Sequence, residues 1–183
     1  MLRSMRSALR GTKAGGEAQF KVAAAGSITG IAPTVTSLQT GHVGLNVSRL
    51  ERSQAFYQRL LGLTVVKEGI DPKQRWVFLG HDGKAVVTLF QQSSAPFSTS
   101  TAGLHHLSFQ VMSMEQVRAA EKIARELNAP FFHDSVVAHS EGSHSGGIFF
   151  ADPDGIRLEI FAPTGAEESP APGGEAPTCG FFL

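Results

Sequence analysis

Polar and apolar residues alternate in two short runs of nearly the same layout, HVGLNV at 42–47 and HLSFQV at 106–111. A period of two predicts half-buried strands. In the first run His42, Gly44 and Asn46 share one face, with Val43, Leu45 and Val47 on the other; in the second, His106, Ser108 and Gln110 stand opposite Leu107, Phe109 and Val111.

A helical period follows each run. In SRLERSQAFYQRLLG, Leu50, Phe56, Tyr57, Leu60 and Leu61 fall on one face, Ser48 with Glu51 reads as a capping box, and Gly62 as the stop. SMEQVRAAEKIARELNA is a second amphipathic helix, opened by Ser113 and Gln116. Behind the first helix, LTVVKEG, RWVFLG and KAVVTLFQQ read as strands, the last two joined at His81-Asp82-Gly83. Behind the second come APFFHDSVV, GGIFFA and IRLEIFA, the last two joined at Asp152-Pro153-Asp154-Gly155.

The chain is thus an α+β protein built on a tandem βαβββ repeat, with module one at about 39–92 and module two at about 103–162. Pairing His42 with His106 gives an offset of 64, whereas the last strands differ by about 71. The extra residues fall in VVAHSEGSHSGG, a Gly/Ser/His-rich loop of the kind that carries function on a rigid repeat. Residues 1–38 lack sustained periodicity and are rich in Arg, Lys, Ser and Ala, the composition of a disordered extension or of an organelle transit peptide. Residues 163–183 are Pro, Gly, Glu and Ser-rich and read as a poorly ordered tail, although its closing TCGFFL is hydrophobic.

Composition narrows the chemistry. A chain of 183 residues with 42% apolar residues and 13 Phe suffices for one core. Zero formal net charge gives no electrostatic case for nucleic acid. Apolar runs such as Ile148 to Ala151 are far too short to span a bilayer, so a soluble, cytoplasmic protein is expected, apart from the targeting reading of its N-terminus. With Cys179 the one cysteine, a metal site must use His, carboxylate or water.

In IRLEIF, Glu159 shares its face with Arg157 and Phe161, while Leu158 and Ile160 go to the helix side. Its counterpart in VTLF is Thr88, so the repeated position set is His42, Thr88, His106, Glu159. Taken singly, a histidine or glutamate at a strand end is usually an ordinary polar residue; three at matching register of a duplicated module point to a shared site. Two imidazoles and one carboxylate suit divalent iron, manganese, nickel, cobalt or zinc and leave positions open for substrate. His105 has the opposite parity to His106 and is expected to be structural.

HVGLNVSRLERSQAFYQRLLGL, GLHHLSFQV and FFADPDGIRLEIFAP together resemble the vicinal oxygen chelate superfamily, which includes glyoxalase I, bleomycin resistance proteins, fosfomycin resistance enzymes and extradiol dioxygenases. The resemblance covers about 39–163. It implies paired modules forming an open, barrel-like sheet around one divalent metal, with His42, His106 and Glu159 as ligands, a small substrate with vicinal oxygens, and a homodimer. Two departures stand out. Thr88 occupies the place where glyoxalase I commonly adds a fourth ligand, and Phe149 stands ten residues before Glu159, where the dioxygenase pattern carries a tyrosine. His139 and His144 in the inserted loop are the candidates for an acid or base. Thr88, Trp76, Phe78 and Phe149 are expected to shape the substrate pocket. The competing reading is a metal-free, ligand-sequestering protein of the bleomycin-resistance type.

Overall fold

The structure is a computed structural model and describes residues 39–180; the extension or targeting reading of 1–38 and the last three residues of the tail lie outside the described residues. The element order within it is β1 (Val43–Val47), α1 (Leu50–Leu61), β2 (Thr64–Asp71), β3 (Gln74–His81), β4 (Lys84–Gln91), β5 (Leu107–Gln110), α2 (Met114–Glu126), β6 (Val137–Ala138), β7 (Gly146–Ala151) and β8 (Arg157–Ala162). Each module forms a four-stranded sheet, ordered β1-β4-β3-β2 and β5-β8-β7-β6, in which the first strand runs parallel to the last. The expected βαβββ repeat is present.

Sheet register confirms the equivalence of positions. Gly44 lies opposite Thr88, and Ser108 opposite Glu159. Phe78 pairs with Thr88 as Phe149 pairs with Glu159. The second strand of module two, β6, is shorter than its sequence suggests. APFFHDSVV contributes only Val137–Ala138 to the sheet and an isolated bridge from Phe131 to Phe150, because the backbone leaves the ladder across the inserted loop.

The helix starts differ from expectation in one case. Ser113 caps α2 as predicted, accepting from the Gln116 amide. On α1 the first helical amide is satisfied instead by Gln91 Oε1 (2.8 Å), and Ser48 turns its amide and hydroxyl to Asp154 of module two. A buried carboxylate near a helix N-terminus is favoured by the helix dipole, so a tertiary contact replaces the local capping box. At the other end, Gly62 adopts φ 65°, the left-handed stop its position predicted.

The turn after β7 joins the two modules. Asp152 Oδ1 accepts the amides of Asp154 and Ile156 (both 2.8 Å), and its Oδ2 takes the Tyr57 hydroxyl of α1 at 2.9 Å. Arg52 of α1 pairs with Asp154.

The apolar sides of both sheets and of both helices belong to one hydrophobic cluster, which includes Leu45, Val77, Leu89 and Tyr57 of module one and Val117, Phe150, Leu158 and Ile160 of module two. Since strand side chains alternate, the opposite faces of both sheets turn away from this shared core.

Residues 163–180, expected as a poorly ordered tail, are instead bound along module two, which corrects that expectation. The Ala138 amide donates to Pro170 O, the Glu141 amide to Gly174 O and the Thr178 amide to His139 O. Ala166 and Thr178 are buried, and Thr178–Gly180 form a 3-10 turn. Pro and Gly composition lowers helix and strand propensity, but it does not prevent a segment from pairing with the unpaired edge beside the two-residue β6. Among the described residues no helix is long and apolar enough to cross a membrane.

Candidate metal centre

Glu159 sits mid-strand on β8, where both neighbouring side chains are committed to the core, and is only 3% exposed. Both carboxylate oxygens meet imidazoles: Oε2 lies 3.3 Å from His106 Nε2, and Oε1 lies 2.6 Å from His139 Nε2. Ser108, its cross-strand partner, adds a hydroxyl donor. Burial pushes the Glu159 carboxyl up, but the hydrogen bonds from His139 and Ser108 and the fields of His139 and His106 outweigh it, leaving the group below the usual carboxylate range. It is therefore an ionised, buried carboxylate. Ionised, it can only accept, so His139 presents Nε2–H. A neutral His139 ring then accepts at Nδ1, where the Ser145 hydroxyl lies at 2.7 Å.

His106 is held on its other side by its neighbour, with the two Nδ1 atoms 2.8 Å apart. Burial draws the His106 imidazole below its ordinary value despite the opposing pull of Glu159, favouring a neutral ring with a nitrogen lone pair to give. His105, expected to be merely structural, thus orients the ring of the candidate ligand. With Nε2 donating to the ionised Glu159, a neutral His106 accepts at Nδ1 from His105.

His42 is elsewhere. It is exposed at the mouth of β1 and stacks on Phe78 at 6.1 Å between ring centroids. No group of three or more His, Cys, Asp or Glu side chains among the described residues is arranged to hold a metal ion, so His42 does not complete a triad with His106 and Glu159 within the chain. Strand alternation turns each polar sheet face away from the shared core.

The expected pocket residues divide the same way. Trp76, Phe78 and Phe90 form a half-exposed aromatic row beside His42, with ring centroids 4.9 Å apart for Trp76 and Phe78 and 6.2 Å for Phe78 and Phe90. Gly69 makes room for it, since a Cβ there would lie 2.4 Å from the Trp76 indole nitrogen. A cavity of about 290 Å³ at the end of this row is lined by Lys73, Arg75, Trp76, Phe90 and Gln92. Thr88 is fully buried beneath it, its hydroxyl turned to Val43 O. Phe149 lies on the Glu159 face but is covered by the rings of His133 and His139, at 5.6 and 6.2 Å, and so does not line an open pocket in this chain. His144 is exposed and pairs with Glu167 of the tail at 3.0 Å, while His139 reaches Glu159. Ser108 and Ser145 were missed by sequence reasoning; Ser108 was legible from its register with His106, whereas Ser145 had no signal.

Glu159 and His106 supply an ionised carboxylate and an imidazole nitrogen, donor types that a divalent ion accepts. Residues 39–160 match the Glyoxalase/Bleomycin resistance protein/Dioxygenase superfamily. The chain belongs to that superfamily. A catechol-2,3-dioxygenase of Bacillus subtilis (strain 168) is 26% identical over 125 residues, 67% of this chain and 40% of that protein, so the chain spans less than half of that relative's length. A protein named glyoxylase I 4 of Arabidopsis thaliana is 29% identical over 130 residues, 69% of this chain and 70% of that one. Among solved structures, a fosfomycin resistance protein from Listeria monocytogenes, complexed with manganese(II) and sulfate, aligns with a TM-score of 0.52 at 20% identity, covering 73% of this chain and 98% of that one. The fold is that of the superfamily.

Proposed function

We propose that this protein is a divalent-metal-dependent enzyme acting on a small substrate with two adjacent oxygens, its metal held by His106 and Glu159 of one chain and His42 of a second copy. The observation that carries this reading is Glu159, a buried carboxylate kept ionised with His106 Nε2 at 3.3 Å. The outward-facing sheet faces support the homodimer, because His42 and its aromatic row need a surface to cover them. Iron(II), manganese(II), zinc or nickel suits the set, and the manganese in the Listeria structure supports the choice of ion class. When bound, such an ion supplies Lewis acidity toward vicinal oxygens.

The chain's own residues do the rest. His139 holds a proton at Nε2, next to the carboxylate, and is the group placed to pass it to or take it from a substrate oxygen. Phe149 stands where a tyrosine would donate, so proton transfer falls to His139. Trp76, Phe78 and Phe90 of the second copy exclude water and pack on the substrate's apolar body. Dioxygen-dependent cleavage is one outcome of this arrangement, supported by the name of the Bacillus relative; isomerase or lyase chemistry is the other.

The test is elemental analysis of untagged protein purified anaerobically, beside His42→Ala and Glu159→Gln. One metal per chain is expected in the wild type and none in either variant. Mixing the two variants under subunit exchange regenerates an intact site in about one of four positions, because a mixed dimer pairs the sound module one of one chain with the sound module two of the other. No recovery on mixing would remove His42 from the centre, and no metal in the wild type after reconstitution would turn the reading to ligand sequestration by the aromatic face.

A further inference from the structure

Module two's inserted loop is tied down by the C-terminal segment rather than by its own sheet. The Thr178 hydroxyl donates to Ala138 O at 2.8 Å, and the Thr178 amide donates to His139 O at 2.7 Å. Three further backbone bonds run the length of the segment, from the Ala138 amide to Pro170 O, from the Glu141 amide to Gly174 O and from the Ala166 amide to His144 O. Thr178 is 1% exposed, and both its hydroxyl and its amide are spent on carbonyls of the loop, Ala138 O and His139 O. A buried residue with both donors committed to consecutive loop carbonyls acts as a clasp.

From this geometry we propose that residues 163–180 are a strap that positions His139 against Glu159, with Thr178 as its clasp. The proposal rests on the metal-centre reading only for its consequence, not for the strap itself. Without the strap, β6 has two residues and one sheet neighbour, and among the described residues the His139 main chain keeps only its amide bond to Ser145 O. A freed His139 releases Glu159 Oε1, and a carboxylate with one fewer orienting partner holds a metal less well. Cys179, the next residue, comes near enough to feel the Glu159 carboxylate, which together with burial raises its thiol. It is also the chain's one cysteine, so its reactivity reports strap docking.

The test compares wild type, Thr178→Asp and Thr178→Ser, all full-length, using two readouts: the rate of Cys179 alkylation and the affinity for manganese(II). Aspartate places a charge in a dry site next to a carbonyl and expels the strap; serine keeps the donor. The expected result is alkylation at least about tenfold faster and manganese binding about tenfold weaker in Thr178→Asp, with both restored in Thr178→Ser. Equal manganese affinity in Thr178→Asp, or wild-type Cys179 reacting as fast as in the unfolded chain, overturns the strap. If the wild type takes up no metal, the metal-centre reading fails, and the strap is decided by amide hydrogen exchange at 139–145: protection lost in Thr178→Asp supports it, and unchanged protection overturns it.

Discussion

Module one and module two share register position by position and differ in what surrounds the position that matters. Thr88 and Glu159 both sit mid-strand, each opposite a phenylalanine on one side and a small residue of the first strand on the other. In module one the second strand, β2, is complete over eight residues and forms a hairpin with β3. In module two it shrinks to two residues, and the freed chain carries His139 across to the glutamate. Module one has the complete sheet and an aromatic wall; module two has the shortened strand and a buried charge with partners. The same register thus carries an aromatic surface in one module and a buried, hydrogen-bonded carboxylate in the other.

The sharpest break of the comparison is to make the two positions chemically alike. Glu159→Gln retains the shape, removes the charge and should reduce bound metal to background, whereas Thr88→Val, which alters the equivalent position of module one without touching a proposed ligand, should leave metal content unchanged. Metal analysis of both variants checks this. If Thr88→Val loses metal as well, the asymmetry between the modules is mistaken.

The two hairpin turns provide the next contrast. His81 ends β3 exposed, while Asp152 at the equivalent place is 2% exposed and satisfies two backbone amides and the Tyr57 hydroxyl. Asp152→Ala strands these donors and should cost about 3 kcal/mol, against under about 0.5 kcal/mol for His81→Ala. Urea unfolding of both variants measures the difference.

The Ser48–Asp154–Arg52 contact between the modules makes the contrast pH-dependent. Burial pushes Asp154 up, but the Ser48 hydroxyl and amide and the Arg52 guanidinium more than compensate, and its pKa lies below the ordinary value. A group depressed in the folded state stabilises above its unfolded pKa, about 3.9 for aspartate, and that stability is lost as pH falls through the folded value. Stability should therefore fall below about pH 4, and Asp154→Asn should flatten that part of the curve; denaturant midpoints between pH 2 and 6 test it.

The smallest expected effect compares helix ends. Gly62 closes α1 at φ 65°, and Asn128 follows α2 at φ 55°. Gly62→Ala should cost about 1 kcal/mol, since a Cβ is strained there, whereas Asn128→Gly should change stability by under about 0.5 kcal/mol. Thermal midpoints suffice to rank them.

Much of this was legible in the residues. Period-two runs with His42 and His106 at their mouths, the two helices and the Asp-Gly turns announced the repeat, because strand and helix periodicities are local properties of the chain. Glu159 was legible as the carboxylate through its alternation with Leu158 and Ile160. Start signals were less dependable: Ser48 reads as a cap and serves Asp154 instead, a partner 106 residues away.

The sequence by itself determined the α+β class, the duplication and the faces of the strands, since each follows from spacing along one element, and it pointed to His42, His106 and Glu159 as candidate ligands. Only the tertiary structure decided that His42, His106 and Glu159 form no common cluster among the described residues, that His139 rather than His144 reaches the carboxylate, that His105 orients His106, and that the Pro/Gly-rich tail is bound along module two. These depend on which surfaces share a core and where a loop can find hydrogen-bond partners, and such contacts join residues whose separation in sequence carries no period to read.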